Sequence, residues 1–302
     1  MPEFASSVAA AVLFALLCWW LGTGLILWLV RLPKASFRLS LAAFTVLLGV
    51  GVWGSYLSMQ TPGVAEAYLG FASVILMWSW HELAFLTAWL TGPRKVPLAP
   101  GARGVQRFSQ SVQVVIHHEL ALLLNFVLLV WLQWGQPNHV ALCTFALLWC
   151  MRFTAKMNLF FGVPQVGEQY LPRHLVYLGS YFRRGPVSAF FYVSVGLACG
   201  TWLWLIWEVQ TGLVAVSTGW VLLAALLGLA IVEHVLMAFP VPLQKLWGWA
   251  MSRQPEVGPA GERPEQNGPQ FFVSSTALPA LPALTALPGL PAHPSRPKPD
   301  QA

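Results

Sequence analysis

The sequence predicts an all-α, polytopic membrane helix bundle of seven transmembrane helices. Of its 302 residues, 57% are apolar and only 9% are charged, whereas soluble domains carry about 25% charged residues. This composition disfavours water-soluble, disordered and nucleic-acid-binding proteins, although the net charge of +6 is one that nucleic-acid-binding proteins also carry. Two further observations support the same fold class, namely seven long apolar stretches and a one-sided distribution of basic residues.

Each apolar stretch is long enough to cross a hydrocarbon core of about 30 Å as a helix, which takes about 20 residues. Helices are expected because backbone polar groups cannot remain unpaired in lipid, and because the runs are continuous, unlike the alternating segments of β-barrels. The first stretch is interpreted as a retained span and not a signal peptide, since Glu3 and no basic residue precedes its long apolar run. The predicted spans are 7–30, 39–59, 67–90, 112–134, 139–161, 187–207 and 213–239.

Basic residues mark one side of the membrane. The connections after spans one, three and five, and the segment after span seven, hold fifteen of the seventeen Lys and Arg residues. The N-terminus and the other connections hold none, and their acids are Glu3, Glu66 and Glu208. Because positively charged loops stay in the cytoplasm, the N-terminus is expected outside and the C-terminus inside. The fifteen residues are Arg31, Lys34, Arg38, Arg94, Lys95, Arg103, Arg107, Arg173, Arg183, Arg184, Lys245, Arg253, Arg263, Arg296 and Lys298.

The composition also divides the chain into two parts. Residues 1–253 are expected to form the seven-span transmembrane domain. Residues 254–302 are rich in Pro, Ala and Leu, and frequent prolines prevent helix and sheet. We therefore expect a disordered cytoplasmic tail. Within span six, Gly196 and Gly200 form a small-xxx-small pair, which is a candidate for a close contact between two helices.

Charged and histidine side chains inside the spans form a predicted polar layer. A charge within a span costs about 2.5–3.5 kcal/mol or more, so a partner is expected. From a rise of 1.5 Å per residue, the charged members lie about 7–15 Å from the cytoplasmic boundary, on four helices. We expect Arg152 to face Glu82 or Glu119, whereas Lys156 has the option of extending to the inner interface. The layer comprises His81, Glu82, His117, His118, Glu119, Arg152, Lys156, Glu233 and His234.

Several interpretations of this layer are open. The first is a hydrogen-bonded ion network that fixes helix packing. In the second, the imidazoles of the layer ligate the metal of a tetrapyrrole that lies between Trp-rich walls. In the third, the layer is the metal site of an intramembrane enzyme. The metal site is disfavoured because adjacent His and Glu residues point about 100° apart on a helix. A proton or substrate path is a further option. No catalytic residue and no metal ligand is assigned.

The remaining chemistry-bearing residues give no functional signal. The sequence has no CxxC motif, P-loop, Gly-rich dinucleotide motif or nucleophile elbow. His139 and His174 fall at loop or interface positions and are expected to be solvated. The four cysteines lie within predicted spans, where they are expected to behave as small apolar residues; they are Cys18, Cys143, Cys150 and Cys199.

Several runs of residues together resemble the PuhE family, the photosynthetic complex assembly protein 2 of phototrophic proteobacteria. The similarity covers all seven spans, over about residues 10–251, and excludes the Pro-rich tail. Its most specific runs are Trp80-His-Glu-Leu-Ala-Phe-Leu, Thr91-Gly-Pro-Arg-Lys, Pro100-Gly-Ala-Arg-Gly, His118-Glu-Leu-Ala, Met151-Arg-Phe-Thr-Ala-Lys-Met-Asn-Leu-Phe-Phe-Gly-Val and Tyr181-Phe-Arg-Arg-Gly-Pro.

The resemblance implies a multi-pass protein of the bacterial cytoplasmic membrane, inner or intracytoplasmic, with a periplasmic N-terminus and a cytoplasmic C-terminus. Its gene would accompany that of the reaction-centre H subunit. It would assist assembly of the photosynthetic reaction centre and core antenna, with their subunits or other assembly factors as partners and bacteriochlorophyll as a candidate ligand. No enzymatic activity is carried over. The alternative is an intramembrane enzyme or transporter that acts on pigment or lipid through the polar layer.

Overall fold

The computed structural model describes residues 2–211, 214–239 and 248–251. Within these ranges, seven helices are long and apolar enough to span a membrane, which confirms the predicted fold class. The predicted tail, residues 254–302, lies outside the described residues. The helices are α1 (Pro2–Leu29), α2 (Phe37–Met59), α3 (Val64–Leu86), α4 (Gly104–Gln133), α5 (Val140–Phe161), α6 (Ala189–Thr211), α7 (Val214–Leu236) and the short α8 (Gly248–Met251).

The central helix of the bundle is α3. It contacts α1, α2, α4, α5 and α7, and it buries twelve of its 23 residues, whereas α2 buries six of 23. On one face, Phe71 packs against α1 and α7. On another, Met77 packs against α4 and α5. Because α3 is surrounded, His81 and Glu82 near its C-terminal end lie in the interior of the bundle, where both are buried.

Small residues hold α2 and α3 close together. Gly51, Gly54 and Ser58 lie on one face of α2, at the spacing of three and four residues that aligns side chains on a helix. A Cβ atom at Gly51 would lie 2.6 Å from the backbone oxygen of Ser73, and one at Gly54 would lie 2.3 Å from the Ser73 hydroxyl. Close approach of this kind drives helix association in membranes, where lipid is as apolar as the helices.

The candidate contact at Gly196 and Gly200 is not formed in the part of the chain that the structure describes. A Cβ atom built on either glycine has none of the described atoms within 4 Å, so no described helix packs there. The spacing of small residues in α6 resembles that in α2, but a partner helix lies against this face only in α2. Spacing alone therefore does not distinguish a packed glycine face from an open one.

Several helix boundaries differ from the prediction, and two of the differences have a clear physical reason. The helix α3 ends at Leu86, not at residue 90, because Ala88 adopts a left-handed φ of 61° and the amides of Trp89 and Leu90 both donate to the Ala84 carbonyl, at 3.0 and 2.9 Å. The helix α4 begins at Gly104, earlier than residue 112. Its first turns are polar, and hydropathy detects only the part of a helix that is apolar.

The connections 30–36, 87–103 and 162–188 lie at one end of the bundle, which we call the basic end. Apart from Arg152 and Lys156, every Lys and Arg in the described part of the chain lies in these connections or in the first helical turn that follows. The two long connections fold against each other: the Tyr181 hydroxyl accepts from Arg94 Nε at 2.7 Å and donates to the Val96 carbonyl at 2.9 Å. Arg94 and Tyr181, which lie in two of the runs quoted for the resemblance, thus belong to an ordered surface.

Two further side chains of these connections are partly buried. His174, which was expected to be solvated, is half-buried, and its Nε2 lies 2.8 Å from the Leu86 carbonyl oxygen. Burial raises the pKa of the Tyr177 hydroxyl above its usual value. The expectation for His174 is wrong because the connection folds back onto the end of α3.

Candidate functional site

The helix α5 carries both cations of the polar layer and pairs each with a different helix. Arg152 Nη2 lies 2.8 Å from Glu82 Oε2 of α3, and Lys156 forms an ion pair with Glu119 of α4. The second carboxylate oxygen of Glu119 accepts from Trp149 Nε1 at 3.3 Å. Of the two partners expected for Arg152, the structure therefore selects Glu82. Lys156 does not extend to the interface, because it is held by Glu119.

The polar residues of α7 join that helix to α1 and α5. Glu233 Oε1 accepts a hydrogen bond from Trp19 Nε1 of α1 at 2.7 Å. The buried His234 donates from Nδ1 to the Ala230 carbonyl at 2.8 Å, and its Nε2 lies 3.0 Å from the Thr154 hydroxyl oxygen of α5. Both ring nitrogens of His234 are thus already engaged within the bundle.

Two buried histidines, His81 and His118, lie between α3 and α4. Their ring centroids are 6.4 Å apart, and they are 2% and 1% exposed. Asn125 Nδ2 lies 2.9 Å from His81 Nε2 and donates to it, so the proton of that ring resides on Nδ1. Nδ1 of both histidines, Glu82 Oε1 and Asn125 Oδ1 have no hydrogen-bond partner among the described residues. Buried polar atoms are normally satisfied, and internal water commonly supplies the missing partners.

The position of His118 is fixed by the connection after α3. The backbone amide of His118 donates to the Thr91 carbonyl at 3.1 Å. Gly92 lies against the backbone of α4, because a Cβ atom there would lie 2.0 Å from the Gln113 carbonyl oxygen. The Thr91-Gly92 pair therefore orients the turn of α4 that carries His118.

The layer is not one continuous site. His117 lies on an exposed face of α4 and is not brought together with the other members. The remaining eight residues form separate groups, namely two ion pairs on α5, a histidine pair between α3 and α4, and the adjacent Glu233 and His234 of α7. The calculated depth of each residue in the membrane predicted that these side chains share one level. The rotation of each helix about its own axis decides which of them are in contact.

The geometry bears on the two ligand-binding interpretations. Within the ranges that the structure describes, no three His, Cys, Asp or Glu side chains are grouped so that they could hold a metal ion. His81 is enclosed by Trp80 and Phe145, with ring centroids at 5.0 and 6.3 Å, and Phe85 lies 4.7 Å from His118. A macrocycle on either imidazole would require α3 and α4 to separate.

An apolar groove between α2 and α4 was not predicted from the sequence. It has a volume of about 600 Å³ and lies beside Gly49, where a Cβ atom would have no neighbour within 4 Å. The hydroxyl of Thr45 in its wall accepts from Trp80 Nε1 at 3.0 Å. The groove is lined by Thr45, Leu48, Gly49, Val52, Trp53, Tyr56 and Leu132.

Comparison with known proteins gives a family but no solved structure that matches. The sequence matches the family described as "Protein of unknown function (DUF3623)" over residues 5–257. It is also 36% identical, over 241 residues, to a Rhodobacter capsulatus protein named "Uncharacterized 30.4 kDa protein in puhA 5'region". That similarity covers 77% of this chain and 87% of the relative. No solved structure matches. The chain therefore belongs to the DUF3623 family.

Proposed function

We propose that this protein is a membrane-embedded assembly factor for the bacterial photosynthetic reaction centre and core antenna complex. The observation that carries the proposal is the relative in the 5' region of puhA, which is 36% identical to this chain. The resemblance to the PuhE family, whose gene accompanies that of the reaction-centre H subunit, supports the same function. In this proposal the protein acts in the cytoplasmic or intracytoplasmic membrane, without catalysis, and affects bacteriochlorophyll supply or holds the pigment transiently.

The geometry supports a protein that acts through helix contacts. The charged side chains of the layer bind one another and thereby join α3, α4 and α5. Trp53, which lines the apolar groove on α2 and α4, is 61% exposed at the bundle surface. Exposed aromatic residues beside a small residue favour van der Waals packing against another transmembrane helix. We propose this groove as the contact for a photosynthetic subunit.

The alternative, an intramembrane enzyme or transporter acting on pigment or lipid, is favoured by one specific observation. The four unpaired polar atoms between α3 and α4 form the kind of polar interior that marks proton or substrate paths in membranes. The two proposed functions depend on different residues, so different variants should abolish them. Assembly depends on the outer groove, whereas an enzyme or transporter depends on His81 and His118.

Deletion of the gene from a phototrophic host is expected to lower the amount of reaction centre and core antenna, measured as near-infrared absorption of isolated membranes. The wild-type gene should restore it. A Gly49→Trp variant, which places an indole beside the groove at a position where an added Cβ atom has no neighbour within 4 Å, should fail to restore it because the partner helix cannot dock. The matched control is Gly196→Trp, since Gly196 is equally open but lies on α6. Normal complexes in the deletion strain would contradict assembly, and accumulation of a pigment precursor would favour the enzyme.

The orientation is part of the proposal, with the basic end in the cytoplasm. Reporter fusions after Lys95, Arg184 and Arg253 are expected to be active as cytoplasmic reporters, because these sites lie in the basic segments of the sequence. Fusions after Gln60, Gly135 and Gln210 are expected to be active only as periplasmic reporters. Protein levels measured by immunoblot provide the control for expression. A periplasmic signal from the Arg184 fusion would overturn the orientation.

A further inference from the structure

Two arginine side chains lie against the last turn of α5 at the basic end. Arg107, in the first turn of α4, donates from Nη2 to the carbonyls of Phe160 and Tyr181, at 2.8 and 2.9 Å. The backbone amide of Arg183 donates to another carbonyl of that turn at 2.8 Å. The side chain of Arg183 runs beside Gly162, where an added Cβ atom would lie 3.5 Å from Arg183 Cδ. We call this pair, Arg107 and Arg183, the arginine corner.

The guanidinium of Arg107 is held in one orientation. Nη2 makes both carbonyl hydrogen bonds, and Cζ lies 4.1 Å from the centroid of the Phe160 ring, which is a cation–π contact. Nη1 and Nε make no hydrogen bond in the part of the chain that the structure describes. Because the five N–H donors of a guanidinium form a rigid, planar fork, the donors that remain have a fixed direction and are available to a ligand.

Neither arginine has a carboxylate partner among the described residues. The two ion pairs found there belong to the polar layer. Glu168, the one acid in the connections of the basic end, forms no ion pair. Residues 240–247, which the structure does not describe, contain Lys245 and no acid. Two positive charges therefore lie at one end of α5, and these parts of the chain supply no counter-charge.

A row of four phenyl rings begins beside Arg107 and crosses three helices. The successive ring centroids are 5.9, 5.4 and 5.3 Å apart. The first and third rings are 48% and 39% exposed. Exposed phenyl rings on helices that span a membrane are covered by acyl chains, so the arginine corner adjoins a surface for hydrocarbon. The rings, which we call the phenyl row, are those of Phe108 of α4, Phe160 and Phe161 of α5 and Phe190 of α6.

We propose that the arginine corner and the phenyl row together bind one anionic phospholipid of the leaflet at the basic end. The phosphate binds Arg107 and Arg183, and one acyl chain packs on the phenyl row. Arginine forks match pairs of phosphate oxygens, and basic sites between transmembrane helices bind anionic headgroups. An acidic protein segment fits less well, because its charges would lose their hydration beside the phenyl row. This inference does not depend on the proposed assembly function.

Lipid retention by the purified, full-length protein tests the proposal. The protein in mild non-ionic detergent receives equal amounts of anionic phosphatidylglycerol and zwitterionic phosphatidylcholine, and native mass spectrometry counts the lipid that stays bound. We expect a preference for phosphatidylglycerol of at least about tenfold, and Arg183→Gln should lower it about fivefold. This variant should fold, because the Arg183 side chain makes no hydrogen bond to a described residue. Equal retention of the two lipids by the unaltered chain would overturn the proposal.

Arg38→Gln is the matched control. Arg38 is also an exposed arginine of the basic end, but it lies in the first turn of α2. Its replacement removes the same charge and should leave the preference for phosphatidylglycerol unchanged. An equal loss in Arg38→Gln and Arg183→Gln would show that the lipid responds to the overall charge of this end, and would overturn the arginine corner as the site.

Two further arms identify the occupant. Inorganic phosphate at the concentration of the lipid should not displace phosphatidylglycerol, because it makes no contact with the phenyl row, and Phe161→Ala should weaken retention of the lipid. Displacement by phosphate, or full retention in Phe161→Ala, would overturn the lipid as the occupant. Retention that appears only after the tail acids are neutralised would show that the tail occupies the corner, and would also overturn it. Those substitutions are Glu256→Gln, Glu262→Gln, Glu265→Gln and Asp300→Asn.

Discussion

Replacing Arg152 by Met is expected to lower the free energy of unfolding by about 3 kcal/mol, the lower end of the range for a broken buried ion pair. The loss is large because the carboxylate of Glu82, whose side chain is 11% exposed, is left without its cation. It is not larger because the side chain of Arg152 is 42% exposed, so the pair is only partly buried. Thermal unfolding of the purified protein in mild detergent, followed by tryptophan fluorescence, measures the change.

The control for this prediction is a double-mutant cycle. Glu82→Gln alone should also destabilise the bundle, because it leaves the Arg152 charge unpaired. The double variant should lose less stability than the sum of the two single variants, since neither charge remains. Strict additivity would show that the Arg152–Glu82 contact contributes no coupling. The matched pair Lys156→Met and Glu119→Gln applies the same test to the contact between α4 and α5.

Gly51→Val is expected to lower the melting temperature strongly, since overpacking at a helix contact costs about 1–3 kcal/mol or more. Its Cβ atom would lie 2.6 Å from the backbone oxygen of Ser73, and a backbone atom cannot rotate away. The helix α2 must therefore shift away from α3. Gly54→Ala should cost less, because its nearest atom is the Ser73 hydroxyl, which can adopt another rotamer.

Gly196→Val is the matched control for Gly51→Val. Both glycines lie within spans, but a Cβ atom at Gly196 meets open space. Its melting temperature should stay close to that of the unaltered protein. If the two variants melt alike, the close contact between α2 and α3 is not a determinant of stability.

The fold was predictable from the sequence because lipid imposes a simple requirement. A segment that crosses the membrane must be apolar and helical, so hydropathy alone identifies all seven spans. Helix packing is less accessible, since Gly51 and Gly196 occur in similar local sequences and differ only in whether a helix faces them. The ordered connections were also missed: Tyr181 and Arg94 lie far apart in the chain, and nothing local indicates that they meet.

For the polar layer, the sequence predicts the depth of each residue in the membrane but not which residues pair. Counting residues along each span places Glu82, Glu119 and Arg152 at one level. Which acid binds which cation depends on how α3, α4 and α5 rotate about their axes, and that is set by core residues such as Phe145 and Leu122. His117 was included with the layer because it precedes His118, but a rotation of about 100° per residue places it on an exposed face.

The two ion pairs on α5 have a consequence for the biogenesis of the protein. A helix that enters the membrane alone with Arg152 and Lys156 pays about 2.5–3.5 kcal/mol for each charge. Synthesis proceeds from the N-terminus, so α3 and α4, which carry Glu82 and Glu119, are completed before α5 leaves the ribosome. The α3 and α4 helices therefore present both counter-charges when α5 arrives. Pairing with Glu82 and Glu119 lowers the free-energy cost of inserting the helix that carries two positive charges.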